Sequence, residues 1–202
     1  MKILLIGIPR SGTTTLMDSI GSSLKLYIKN EPFNEASNKA SNKDVNWDYT
    51  PENNVIVKSL MGINVNNPIE FYKNYSRLFD KTILLSRKNT QEAVESYSFQ
   101  ALQTRDIPFS WNEKKYTYTQ TDDSRIIQYR NWMISMKNNL ESLSKELNIE
   151  IDWYEDLYSG KKEEIVRFVN KHKIDINLDK FSEYLNPKHR LRQFDKTIKN
   201  II

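Results

Sequence analysis

The chain has 202 residues, 38% hydrophobic and 28% charged, which is one domain's worth of core in a globular balance rather than a disordered chain. Thirty basic residues against 26 acidic ones leave a net charge of +4, too slight an excess to argue for nucleic-acid binding and well suited to a small polyanionic ligand. There is no cysteine and there are only two histidines, His172 and His189, which excludes disulfides and thiolate metal sites and argues against a histidine-rich metal centre.

Lys2 to Gly7 is an unbroken apolar run ending at glycine, the pattern of a buried parallel strand. Its neighbourhood looks superficially like a signal peptide. The run is too short, however, and passes straight into Pro9-Arg10-Ser11-Gly12 with no small-residue cleavage site. Thr13 to Leu24 has helical spacing through Leu16, Ile20 and Leu24, and Leu24 to Ile28 reads as a second strand. Asn30 to Asn54 is a polar excursion of a length that is usually functional. Val55 to Lys58 is a short strand, Phe71 to Phe79 a helix, Lys81 to Ser86 a buried strand and Thr90 to Leu102 a helix. Thr104 to Asp122 is irregular. Asp123 to Leu147 is a long helix, Ile149 to Trp153 a strand and Lys162 to Lys173 a helix, followed by a basic tail from Asn186. The two histidines are expected to be solvent-exposed. Strands alternating with helices predict a single α/β domain with a central parallel sheet flanked by helices. In such a sheet ligands bind at the carboxyl ends of the strands.

The sharpest local signal is Gly7-Ile8-Pro9-Arg10-Ser11-Gly12-Thr13-Thr14, between a strand and a helix. Backbone N–H groups of such a turn converge, and the helix N-terminus adds partial positive charge, so a phosphate-like group fits there. Gly7 and Gly12 have the spacing of a Walker A loop, yet Thr13 stands where that loop has lysine. The cation comes from Arg10 instead. A nucleoside triphosphatase of this type needs its loop lysine to reach the β- and γ-phosphates. The loop therefore suits one phosphate-like group beside another anion.

Pro9-Arg10-Ser11-Gly12-Thr13-Thr14-Thr15-Leu16 resembles the 5′-phosphosulfate loop of sulfotransferases that use 3′-phosphoadenosine-5′-phosphosulfate (PAPS). The resemblance implies a P-loop-like fold in which Arg10, Ser11 (through its backbone or its hydroxyl), Gly12, Thr13, Thr14 and Thr15 hold the 5′-phosphosulfate. Three weaker islands follow in the family's order. Arg87, at a strand end, matches the arginine that grips the 3′-phosphate, a job its planar fork suits. The family's companion serine is eight residues further. Here that position is Glu95, with Ser96 one beyond, so Glu95 is expected to point away and Ser96 to substitute. Tyr154, in Tyr154-Glu155-Asp156-Leu157, matches a tyrosine near the adenine. Lys58 matches a strand-end lysine that approaches the sulfuryl group. Family members acting on small molecules have a catalytic histidine two residues after that lysine, and this chain has Leu60. Glu31-Pro32-Phe33 resembles a segment of the carbohydrate-modifying members, which makes Glu31 the expected base.

The resemblance thus implies an enzyme with Arg10, Lys58 and Glu31 as catalytic residues. It would use PAPS, release 3′-phosphoadenosine-5′-phosphate (PAP), need no metal, and act on a small-molecule or glycan acceptor. Trp47, Tyr49, Trp111, Tyr116 and Tyr118, in the two irregular segments, suit an acceptor site. No nucleic-acid or membrane partner is expected, and no apolar run approaches the ~18 residues of a membrane span. The expected setting is the cytoplasm of a prokaryote or the product of a virus. Two alternatives stay open on sequence alone, a small-molecule kinase that uses Arg10 and a nucleotide-binding module without catalysis.

Overall fold

The computed structural model describes residues 1–33, 49–62, 65–103 and 123–185. Five strands, β1 (Lys2–Gly7), β2 (Tyr27–Asn30), β3 (Val55–Leu60), β4 (Lys81–Ser86) and β5 (Ile151–Trp153), form one sheet in the order β2-β3-β1-β4-β5. Every pairing is parallel. The helices are α1 (Thr13–Leu24), α2 (Pro68–Ser76), α3 (Thr90–Gln103), α4 (Asp123–Leu147), α5 (Tyr154–Leu157), α6 (Lys162–His172) and α7 (Leu178–Tyr184). This is the α/β architecture with a central parallel sheet that the alternation of elements predicts.

Both faces of the sheet are covered, and the period-two pleat sorts the strand residues between them. Leu4, Ile6, Val55, Val57 and Leu84 pack against Tyr72 and Tyr75 of α2, Ala93 and Val94 of α3, and Met133, Met136, Leu140 and Leu143 of α4. Ile3, Leu5, Ile56, Ile83 and Leu85 pack against Leu16, Met17 and Ile20 of α1, Ile165, Phe168 and Val169 of α6, and Phe181 of α7. Each fully buried aliphatic or aromatic side chain contributes roughly 1.5–3 kcal/mol relative to exposure.

The strand order places a topological switch beside β1. The chain leaves β1 through α1 towards β2 on one side, and leaves β4 through α3 and α4 towards β5 on the other. The crevice between the carboxyl ends of β1 and β4 is where such sheets bind ligands. The loop after β1 and Arg87 after β4 both open into it.

Some boundaries differ from expectation. The second strand begins at Tyr27, because α1 ends with Lys25 in the left-handed conformation, its N–H donating to the Gly21 carbonyl, and the next residues complete that turn. β5 begins at Ile151, after a turn through Asn148 (φ 52°) in which the Ile149 N–H returns to the Ser144 carbonyl. α2 starts at Pro68, three residues earlier than the apolar spacing suggests, with Asn67 as its side-chain cap. Helices α5 and α7 are too short for periodicity to reveal.

The end of β3 is pinned by Tyr72. Its hydroxyl donates to the Leu60 carbonyl at 2.7 Å and lies 2.5 Å from Ser59 Oγ. Burial holds this hydroxyl well above the ordinary tyrosine range, opposed by the Ser59 hydrogen bond and reinforced by the charge of Glu31. A raised folded-state pKa means that the unfolded chain loses the proton first. Stability should therefore fall as pH rises past about 10, by up to about 1.4 kcal/mol per pH unit for this group. Chemical denaturation between pH 10 and 12 checks this, and Tyr72→Phe should fall less steeply than wild type. Equal slopes would contradict the assignment.

Candidate functional site

The loop after β1 is shaped from within. Arg10 is left-handed at φ 64°, as is Gly12 at φ 79°. The Ser11 hydroxyl is fully buried and donates to the Ile8 carbonyl at 2.7 Å. It therefore staples the turn and faces away from the crevice, so of the two ways expected for Ser11 to bind a ligand only its backbone remains. Thr13 is also buried, and its methyl lies 2.4 Å from where a Cβ at Gly7 would stand. A side chain at Gly7 would thus lift α1 off the strand. Thr14 and Thr15 are exposed in the first turn of α1. That turn contains no acidic residue and its cap offers no side-chain bond, so no side chain of the helix's own first turn offsets the positive end of its dipole beside the loop.

Tyr158, which sequence reasoning missed, holds the loop from the other side together with Tyr154. Tyr158 donates its hydroxyl to the Gly12 carbonyl at 2.8 Å. It stacks on Tyr154 with centroids 4.6 Å apart, and a Cβ at Gly12 would strike both rings at under 3 Å. The Tyr154-to-Tyr158 spacing is one helical turn, which is the signal that was available.

Lys58 and Glu31 meet as expected of a shared site. Lys58 lies on the α1 face of the sheet, in the pleat with Ile56. Its ammonium is 2.6 Å from Glu31 Oε1 and donates to Thr14 Oγ1 at 2.9 Å. Both side chains are buried, 5% and 11% exposed. Glu31 reaches this position through a left-handed backbone (φ 45°), with its N–H donating to the Lys58 carbonyl at 2.8 Å. Among the described residues, the other non-glycine left-handed positions are Lys25, Asn54, Asn148 and Lys173, all in turns between elements. Arg10 and Glu31 instead carry side chains that bond other candidate site residues, Ser96 and Lys58, and strain of this kind gathers at functional sites. Asp18, one turn after Thr14, is a further carboxyl near this cluster. Partial burial lifts its pKa above the ordinary range, and the charge of Lys58 opposes that rise.

Phe33 is the anchor of the Glu31-Pro32-Phe33 turn. It is 1% exposed and meets Phe71 and Tyr75 edge-on, at 5.0 and 4.9 Å. Phe33→Ala should cost about 3–5 kcal/mol of stability. Thermal denaturation checks this, and a loss under about 1 kcal/mol would show that Phe33 does not anchor the turn.

Arg87, Ser96 and Arg10 converge across the switch point. Arg10 Nε donates to Ser96 Oγ at 2.7 Å, and Ser96 is buried. The serine that the spacing left one residue out of place thus faces the loop all the same. The side chain of Glu95 lies outside the described residues. Arg87 is buried, donates through Nη1 to the Arg10 carbonyl at 3.2 Å, and lies 4.4 Å over the Tyr154 ring. It also bonds Glu92, through Nη2 at 2.8 Å, a contact the sequence did not suggest.

Of the aromatic residues expected to shape an acceptor site, Tyr49 packs on the core beneath Lys29, whose ammonium is 5.2 Å from the ring. Trp47, Trp111, Tyr116 and Tyr118 lie outside the described residues, as do His189 and the basic tail. His172 is not exposed as expected. It is buried at the end of α6, with Nε2 2.6 Å from Asp152 Oδ2 and its ring against Phe168. Apolar spacing in α6 turns it inward, and Asp152 satisfies it. It borders a groove of about 560 Å³ lined by Lys81, Asn148 and Lys173, among others. That groove lies by the amino end of β4, away from the loop.

Among the described residues no three acidic, histidine or cysteine side chains gather as a metal site would require, and no helix is long and apolar enough to cross a membrane. Comparison of the chain with protein-family models gave no match, and comparison with curated proteins gave none either.

Proposed function

We propose that this protein transfers a sulfuryl group from PAPS to a hydroxyl of an acceptor, with carbohydrates as the first acceptor class to test. The observation that carries the reading is the buried Lys58–Glu31 pair tied to Thr14 in the first turn of α1, directly after the loop that carries Arg10. The donor set fits the cosubstrate. A loop with an internal arginine suits the 5′-phosphosulfate, and Arg87, whose buried Nε makes no hydrogen bond among the described residues, suits the 3′-phosphate.

PAPS supplies an activated sulfuryl group, whose bond to the bridging phosphate oxygen breaks as the acceptor oxygen attacks sulfur. Arg10 and Lys58 are fixed cations in a partly dry site, placed to offset the negative charge that develops during transfer. Thr14 ties Lys58 to the loop. Glu31 accepts the proton of the attacking hydroxyl and returns it to solvent. Lys58 bonds both the base and the loop, so it couples proton removal to charge on the transferring group.

The test is release of PAP from PAPS in the presence of a panel of mono- and oligosaccharides, followed by mass detection of the sulfated product. Acceptor-dependent PAP release that is lost with Glu31→Gln supports the reading. PAPS left intact with every acceptor, by a protein that nevertheless binds PAP, would reduce the function to nucleotide binding.

A further inference from the structure

We propose that Glu92 is a displaceable latch on Arg87, a carboxylate that holds the arginine in the free protein and must be released for a nucleotide's 3′-phosphate to bind. The inference rests on the functional reading above and extends it to a residue that tunes cosubstrate affinity.

The argument begins with the local sequence. Asn89-Thr90-Gln91-Glu92 has the form of a capping box, in which the first side chain accepts from the fourth N–H and the fourth carboxylate returns to the first N–H. Here only the first half is made. Asn89 Oδ1 accepts from the Glu92 N–H at 3.2 Å. The reciprocal half is taken by Glu155, whose carboxylate accepts from the Lys88 N–H at 2.8 Å and the Asn89 N–H at 3.0 Å. Glu92 is thereby released from its ordinary capping duty, and its carboxylate turns to Arg87 Nη2 instead.

The two partners are unequally placed. The Arg87 side chain is 8% exposed, while that of Glu92 is 51% exposed. Arg87 cannot leave without stranding a buried cation. Glu92 can swing into water at little cost, because an exposed carboxylate is readily hydrated and its ion pair is screened. The remaining Arg87 nitrogens are anchored or oriented. Nη1 holds the Arg10 carbonyl, and Nε lies 3.7 Å from Glu155 Oε1, an oxygen already accepting from the backbone. A phosphate arriving at this guanidinium competes with Glu92 for Nη2 and is repelled by it until it moves. Arg87 can donate two parallel bonds to a phosphate in a geometry that one carboxylate oxygen does not match. The exchange therefore favours a doubly charged ligand group over a weaker anion.

The experiment is calorimetric titration of wild type, Glu92→Gln and Glu92→Ala with PAP and with 5′-AMP, after melting curves have shown the variants folded. The expected result is that both variants bind PAP about tenfold more tightly than wild type and bind 5′-AMP, which carries no 3′-phosphate, as wild type does. Unchanged or weaker PAP binding by the variants would overturn the latch and make the Arg87–Glu92 pair a structural one. Equal tightening of PAP and 5′-AMP would also overturn it, since a general charge effect would then suffice. Wild type that binds PAP no better than 5′-AMP would instead remove the functional reading on which the latch rests, an outcome read before any variant is considered.

Discussion

Lys58→Met is expected to destabilise the protein by about 3–5 kcal/mol, because it takes the neutralising ammonium away from the buried Glu31 carboxylate. The two groups are 2.6 Å apart and nearly out of solvent, so the loss reflects the desolvation of the charge that stays behind more than the worth of the pair. This makes a double substitution informative. Glu31→Gln with Lys58→Met removes both charges and should regain most of the stability, since a buried pair is often no better than neutral packing. Activity should not follow. The single Lys58 variant is expected to lose about 10²–10³-fold in kcat/KM, the scale of removing one aligned donor at developing charge, and the double variant should lose at least as much. Denaturant unfolding and PAPS turnover on wild type, Glu31→Gln, Lys58→Met and the double variant give the coupling between the two residues. A stability loss under about 1 kcal/mol for Lys58→Met would mean that the pair is solvated in solution.

Arg10 gives the second large effect, and here stability and activity should part. Its left-handed backbone costs a non-glycine residue of the order of 1–3 kcal/mol. Arg10→Gly removes that strain together with the hydrogen bond to Ser96, so it should be about as stable as wild type. Arg10→Ala keeps the strain and should be slightly less stable. Both should lose at least about 10²-fold in kcat/KM. Arg10→Lys should recover only part of it, because an ammonium lacks the planar fork of guanidinium. Near-normal turnover by Arg10→Gly would remove Arg10 from the chemistry.

The sheet was legible because its strands are continuous apolar runs bounded by polar residues. Lys2 to Gly7 and Lys81 to Ser86 begin and end where expected, as do the helices Thr13–Leu24 and Asp123–Leu147. What blurred the second strand was a tertiary fact. Leu24 and Leu26 pack on the α1 face of the sheet, so their hydrophobicity belongs to a helix end and a turn. At the site, the residues that would touch a ligand were legible because they lie in strings at strand ends. The residues that hold them in place were not. Tyr72 reaches Leu60, Tyr158 reaches Gly12, and Glu155 reaches Lys88 and Asn89. The last two bridge elements far apart in sequence, and no local spacing encodes such a contact. His172 was misjudged for a related reason. Its inward turn follows from the apolar face of α6, but the partner that makes burial tolerable, Asp152, lies on another element.

The measurement that bears most directly on the central claim is calorimetric titration of the wild-type protein with PAP, 5′-AMP and ATP, each with and without Mg²⁺. The account predicts tight binding of PAP that is indifferent to Mg²⁺ and much weaker binding of 5′-AMP, the difference arising at Arg87. Binding that prefers ATP and requires Mg²⁺, with no advantage for PAP, would contradict it and point to phosphoryl rather than sulfuryl transfer.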